Sequence, residues 1–356
     1  MATQSAGKLN NIQLLRAYAS VAVVYFHTGF RFGPVHPIGS FGVDLFFVIS
    51  GYIMARILDS EKTRPYFLRR RILRIVPPYW FFTILVFVSA QIAPRLMIST
   101  TGNKSELLKS LFFIPFFKSP GLLRPTLFVG WSINYEMYFY CALALGLVLS
   151  TRRAAWIGSG IILAVMSACL VSGHRGALTQ FYGDPIVIEF VMGVVGYYVC
   201  KRVGAVQSRT IKLLLLIAAI ASALVLTASE GFVLYLTHIR AISLGLAAWV
   251  AVCSAVVLAA SGWDTRNRLL ILIGDASYVL YLAHTFVIYF LDRALAPHFG
   301  SWLSQYSPIG MLTDVVAAVG IGILLHLYAE RPLLRILTTR FGGHRPPSEF
   351  APTPKA

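Results

Sequence analysis

Long apolar runs, broken by short polar segments carrying Gly and Pro, set the pattern of this chain. A helix needs about 20 apolar residues to cross a hydrocarbon core of roughly 30 Å. Ten such spans are predicted, at approximately 10–30, 40–58, 75–94, 127–149, 154–172, 184–200, 211–229, 241–261, 270–291 and 309–330. The expected fold is all-α, a polytopic membrane helix bundle of about ten transmembrane helices. It forms one membrane domain over 1–340, followed by a short cytoplasmic tail at 341–356. That tail, FGGHRPPSEFAPTPKA, is Pro-rich and predicted to be disordered. No internal repeat points to inverted transporter halves.

The first span, LNNIQLLRAYASVAVVYFHTGF, breaks the apolar pattern with Arg16 and His27. An ionisable group inside a bilayer costs at least a few kcal/mol, so its presence points to function. Eleven residues amount to about three turns plus 20°, which places both side chains on one face, roughly 16 Å apart. A snorkelling arginine and an interfacial histidine are the competing reading.

Composition agrees with a membrane location. The chain has 356 residues, 57% hydrophobic and only 13% charged, whereas a soluble domain carries about 25% charged residues. The opening MATQSAGK shows no cleavable signal pattern. A net charge of +17 would suggest nucleic acid in a soluble protein. Here the positive-inside rule explains most of it, so membrane lipid is an expected partner and nucleic acid is not. A cytoplasmic N-terminus places most of the 31 Lys and Arg residues on the cytoplasmic side, and the C-terminus with them. Cys141, Cys169, Cys200 and Cys253 lie in apolar runs and read as core residues. The eight histidines form no metal-binding spacing, so no metal is expected.

Other polar residues gather near particular spans. The first external loop holds His36, and span two carries Asp44 near its outer end, either complementing the helix dipole or orienting His27. Gly39, Gly42 and Gly51 allow close helix packing or a kink. A basic cluster begins with Arg56 at the end of span two and continues as Lys62, Arg64, Arg69, Arg70, Arg71 and Arg74 between spans two and three. Arg71 and Arg74, one turn apart, share a face suited to gripping phosphate; anchoring to anionic headgroups is the alternative. Pro77-Pro78 is expected to break or kink the start of span three. The segment LLKSLFFIPFFKSPG is expected at the outer interface.

Span four places Glu136 roughly 13 Å inside the helix start, beside Ser132, Asn134, Tyr135 and Tyr138. Glu189 in span six reads as a structural buried acid, and spans seven and eight as lipid-facing walls. His284, with Tyr278 and Tyr281 nearby, reads as a satisfied core histidine.

Imidazole suits general-base work on a hydroxyl, or carriage of an acyl group. A carboxylate such as Asp44 or Glu136 could fix its tautomer. Residue chemistry alone leaves a transferase and a transporter of glycans or small metabolites both open. The cluster at 69–74 paired with His27 separates them, since a transporter has no use for a nucleotide-phosphate grip.

The run LNNIQLLRAYASVAVVYFH resembles the opening signature of acyltransferase family 3, in which an Arg, ten intervening residues and a His occupy the first span. The resemblance continues through GVDLFFVISGYIM, FLRRRILRIVPPYW, WSINYEMYFY, IEFVMGVVG, SYVLYLAH and ERPLLR, in order across all ten spans. It implies an integral-membrane O-acetyltransferase of the plasma (bacterial inner) membrane. Such an enzyme uses acetyl-CoA, or another acyl-CoA, on the cytoplasmic side and acylates an acceptor outside. His27 would be catalytic, with Arg16 coupled to it and Glu136 and Asp44 in support. Arg69, Arg71 and Arg74, with Tyr79 and Trp80, would hold the donor. The form resembled is the single-domain type acting on exopolysaccharide, as in succinoglycan synthesis. The expected acceptor is then a glycan or lipid-linked oligosaccharide, handled beside polysaccharide assembly proteins. Two departures stand out: Thr28-Gly29-Phe30-Arg31 lacks the acid many relatives place after the His, and the C-terminal esterase-like domain that many relatives carry is not expected here, where a short cytoplasmic tail is predicted instead.

Overall fold

The computed structural model describes residues 9–29, 38–60, 66–92, 102–173, 176–233, 240–295, 298 and 307–341. His36, Lys62 and Arg64 lie outside them. Every predicted span contains a helix. In chain order these are α1 (Asn10–Thr28), α2 (Gly42–Asp59), α3 (Phe67–Ile92), α4 (Lys104–Leu111), α5 (Trp131–Leu149), α6 (Ala154–Val171) and α7 (Ala177–Tyr182). They continue as α8 (Ile188–Val203), α9 (Arg209–Val233), α10 (Arg240–Ala260), α11 (Arg268–Phe290), α12 (Pro308–Leu325) and α13 (Arg331–Phe341). A two-stranded antiparallel hairpin, β1 (Phe117–Ser119) and β2 (Leu122–Leu123), is the one sheet among the described residues.

Seven of the described helical segments are long and apolar enough to cross a membrane. The other predicted spans, α1, α2 and α8, are more polar or shorter. They carry Asn11 and Arg16, Asp44 and Asp59, and Glu189 and Lys201 respectively. Their polar side chains are tolerated because these helices pack on protein: α1 lies along α11, and α2 along α8. At the α2–α8 crossing a Cβ added to Gly193 would collide with the Val48 carbonyl oxygen and come within 2.8 Å of the Gly51 Cα. Glycine at this crossing lets the two backbones touch. Phe47, Phe190 and Phe139 stack beside it, with ring centroids 4.3 and 4.6 Å apart.

Several expectations are corrected. Span three begins at Phe67, so the basic run forms the first turns of a helix that continues through Pro77 and Pro78 without breaking. The Tyr278 hydroxyl of α11 donates to the Ile75 carbonyl there at 2.7 Å, the kind of support that lets a membrane helix tolerate proline. Of the two helices read as lipid-facing, α9 fits, with 11% of its apolar window buried, but α10 is 67% buried. Its Ala, Gly and Ser side chains are small enough to let neighbours approach, and α9 covers its outer side. Cys141, expected in the core, is exposed on α5.

One end of the bundle is basic. There Lys201 meets Asp59 at 2.6 Å. The first backbone N–H groups of α1, on Asn10 and Asn11, donate to the Asp264 carboxylate at 3.2 and 2.8 Å. An acid at a helix N-terminus satisfies donors that have no partner within the helix. At the opposite end, here called the distal end, α1 stops at Gly29 in a left-handed conformation, φ 71°.

Candidate functional site

α1, α2, α3, α5 and α11 enclose a cavity of about 100 Å³. Its order along the bundle follows from helix position. Arg71 and Arg74 line the basic end, Arg16 and Glu136 the middle, and Phe46 and Tyr281 the distal end. The shared face expected for Arg71 and Arg74 is observed, since both reach the same cavity. Arg71 is only 6% exposed. A buried guanidinium is tolerated only where partners or an anion meet it.

Arg16 is held by α11, its Nε and Nη2 donating to Ser277 Oγ at 3.1 and 2.8 Å. Glu136 accepts from the Ser50 hydroxyl at 3.3 Å and from the Tyr140 hydroxyl. Its spanning segment runs Phe128–Leu149, with α5 proper beginning at Trp131, so Glu136 lies roughly 13 Å inside the start of the segment. A short 3₁₀ turn, Phe128–Gly130, opens that segment.

His27 lies beyond the cavity's distal end. Its Nδ1 stands 2.9 Å from the Val23 carbonyl and 3.2 Å from His284 Nε2. His284 Nδ1 in turn is 3.3 Å from the Leu280 carbonyl. Carbonyls only accept, so with both rings neutral each Nδ1 carries the proton. His284 Nε2 then keeps its lone pair and accepts from His27 Nδ1–H. This leaves His27 Nε2 with a free lone pair, the state required of a base or nucleophile. Phe26 and Phe128 flank the His27 ring edge-on, with centroids 5.2 and 6.1 Å away.

His284, read from sequence as a core histidine, is fully buried and is also the partner of His27. The signal available in the sequence was a polar stripe, Ser277, Tyr281 and His284 at i, i+4 and i+7 on an otherwise apolar helix. Arg124 was likewise not singled out. It lies over the rings of Phe128 and Trp131, at 5.1 and 5.2 Å, within electrostatic range of His27. Burial pushes its guanidinium below the usual arginine range, against the opposing pull of Tyr281 and Tyr135.

The remaining candidates lie elsewhere. Asp44 is fully buried but faces Arg240, whose Nη2 reaches its Oδ2 at 2.8 Å. Neither Asp44 nor Glu136 bonds to His27, because the helix turns that carry them point to Arg240 and Tyr140 instead. Arg69 is exposed and does not line the cavity. Tyr79 donates to the Ser110 carbonyl at 3.1 Å and Trp80 to the Leu111 carbonyl at 2.9 Å. Both aromatics thus secure the end of α4 and stand outside the cavity wall. No group of three or more potential metal ligands occurs among the described residues.

Comparison with known proteins places this arrangement. A family model for an acyltransferase domain matches residues 9–329. The exopolysaccharide production protein ExoZ of Rhizobium meliloti (strain 1021) is 34% identical over 319 residues, 87% of this chain and 94% of its own. The acyltransferase MdmB of Streptomyces mycarofaciens is 25% identical across 98% of this chain and 96% of its own. The peptidoglycan O-acetyltransferase OatA of Listeria monocytogenes is 27% identical across 63% of this chain and 39% of its own. No solved structure matches. Because the family match runs from the residue before α1 almost to Glu330, and so spans the cavity and both histidines, this multi-pass membrane protein belongs to acyltransferase family 3.

Proposed function

We infer that the protein moves an acetyl group from acetyl-CoA to a hydroxyl of a polysaccharide or its lipid-linked precursor. The observation that carries this reading is the alignment of Arg71, Arg74 and Arg16 along one cavity that ends beside the His27–His284 pair. In this reading all ten predicted spans cross the plasma (bacterial inner) membrane, with the basic end and both termini cytoplasmic, as the positive-inside rule favours. Arg71 and Arg74 then meet the donor's phosphates from the cytoplasm, and the thioester end points along the cavity past Arg16. His27 Nε2 accepts the proton of the acceptor hydroxyl as its oxygen attacks the thioester carbonyl. The new C–O bond forms and the C–S bond breaks. His27 returns the proton to the leaving sulfur, so CoA departs as a thiol. His284 holds His27 in the required tautomer throughout.

A glycan acceptor is favoured by the name of the 34% identical relative, an exopolysaccharide production protein. Polysaccharide assembly proteins are the partners that reading requires. The decisive experiment compares glycan acetylation in cells carrying the wild-type protein and His27→Ala at equal membrane abundance. The variant should yield unacetylated glycan; undiminished acetylation would remove His27 from the chemistry.

A further inference from the structure

The cavity and the two histidines adjoin without being continuous. Ser277 and Tyr281 line the cavity, whereas His284, on the same face of α11 and about 4.5 Å further along, does not. The Tyr281 ring is the divider. Its hydroxyl donates to the Val129 carbonyl at 3.0 Å and lies 2.8 Å from Ser132 Oγ, which ties it to the start of α5. One side of its ring faces His284, with centroids 5.8 Å apart, and Phe46 stands edge-on at 6.2 Å. Phe46 and Tyr281 both contribute to the cavity wall. An acyl group held in the cavity therefore meets this aromatic pair before it meets His27.

The space on the cavity side is small. An apolar cavity of about 150 Å³ holds a benzene molecule, and this one is about 100 Å³. With the donor's arm laid along the same cavity, little of that space is left beside Phe46 and Tyr281, so a two-carbon acyl group is accommodated where each further methylene presses on this aromatic pair. Interiors packed at crystal density do not yield to added methylenes without strain.

We propose that Phe46 and Tyr281 form the acyl-length filter of this protein, passing acetyl-sized groups to His27 and turning back chains of four carbons or more. The proposal rests on the acyl-CoA reading above. Phe46 sets the width, and the Tyr281 hydroxyl, fixed to Val129 and Ser132, sets how far its ring yields.

The test uses membrane vesicles from cells that make the acceptor glycan, supplied with acetyl-, propionyl- or butyryl-CoA labelled in the acyl group. Label in the glycan fraction is measured for each. The wild type should favour acetyl over butyryl strongly. In Phe46→Ala the butyryl-to-acetyl ratio should rise about ten-fold or more, since a methylene in an apolar pocket is worth roughly 10–200-fold in discrimination. Phe46→Leu should shift the ratio less in the same direction and decides the matter where the Ala variant fails to insert. Tyr281→Phe, which keeps the ring but frees it, should also raise the ratio. Labelled glycan with an unchanged chain-length profile in the Phe46 variants would overturn the filter alone. Wild-type vesicles that transfer no label from any acyl-CoA would overturn the donor reading and the filter with it.

Discussion

His27 Nδ1 and His284 Nε2 stand 3.2 Å apart across the α1–α11 contact, although 257 residues separate them in the chain. The ring behind His27 is thus another imidazole, where a carboxylate was expected. A neutral partner supplies direction without adding a negative charge to the buried site, and charge without a counter-ion is costly there. His284→Ala should lower transfer by roughly ten-fold, the upper end of one net hydrogen bond. His284→Gln, whose amide oxygen can accept from His27 Nδ1–H, should recover part of the loss. Rates measured at saturating donor separate this orienting role from a packing defect, which Gln would not repair.

The sequence pattern located the helices better than it located their neighbours. Arg16 and His27 were legible because a charge in an apolar run is costly wherever the helix stands. Arg71 and Arg74 were legible because their spacing is local to one helix. The partners of His27 and Asp44 were not, because they come from α11 and α10, and which helices touch depends on packing that no local spacing encodes. The same limit explains α10, whose apolar sequence serves equally well against lipid or against protein. It also explains Tyr79 and Trp80, whose polar tips are taken up by α4 carbonyls.

Arg71 and Arg74 carry the donor prediction. Neutralising both should raise the KM for acetyl-CoA at least ten-fold while leaving acceptor use little changed. Hydrogen bonds to charged groups contribute roughly 1.5–3 kcal/mol each, and about 1.4 kcal/mol is a factor of ten. Lysine at both positions should rescue only partly, since it keeps the charge but lacks the planar fork that matches phosphate. Full rescue by lysine with a flat donor KM would make the pair a topological anchor.

Orientation is checked by labelling. In a background with Cys141→Ala, cysteines placed at Ser105 or Gly121 should react with an impermeant thiol reagent added outside intact cells. Cysteines at Gln207 or Arg266, which are exposed at the basic end, should react only after the membrane is opened. Reversed labelling would place Arg71 and Arg74 away from cytoplasmic acetyl-CoA and overturn the proposed direction of transfer.

Asp44 yields the prediction that separates support from chemistry. Its carboxylate is fully buried and paired with Arg240 at 2.8 Å, and the Arg240 Nη2 also reaches the Ser40 side chain at 3.2 Å. Glu189, buried on α8, lies within electrostatic range of both. Arg240 is therefore the cation that pairs the buried Asp44, and its removal leaves that carboxylate uncompensated. Breaking a buried pair by deleting one partner costs about 3–5 kcal/mol, so Arg240→Ala should lower the thermal midpoint in detergent and the amount of folded protein in the membrane. Pairing Arg240→Gln with Asp44→Asn removes both charges, keeps hydrogen-bonding groups in place, and should restore much of the loss. Transfer per folded molecule in that double variant should remain near the wild-type value, because neither residue touches His27 or lines the cavity. Loss of transfer with the fold intact would return Asp44 to the chemistry and require it to reach His27 in another conformation.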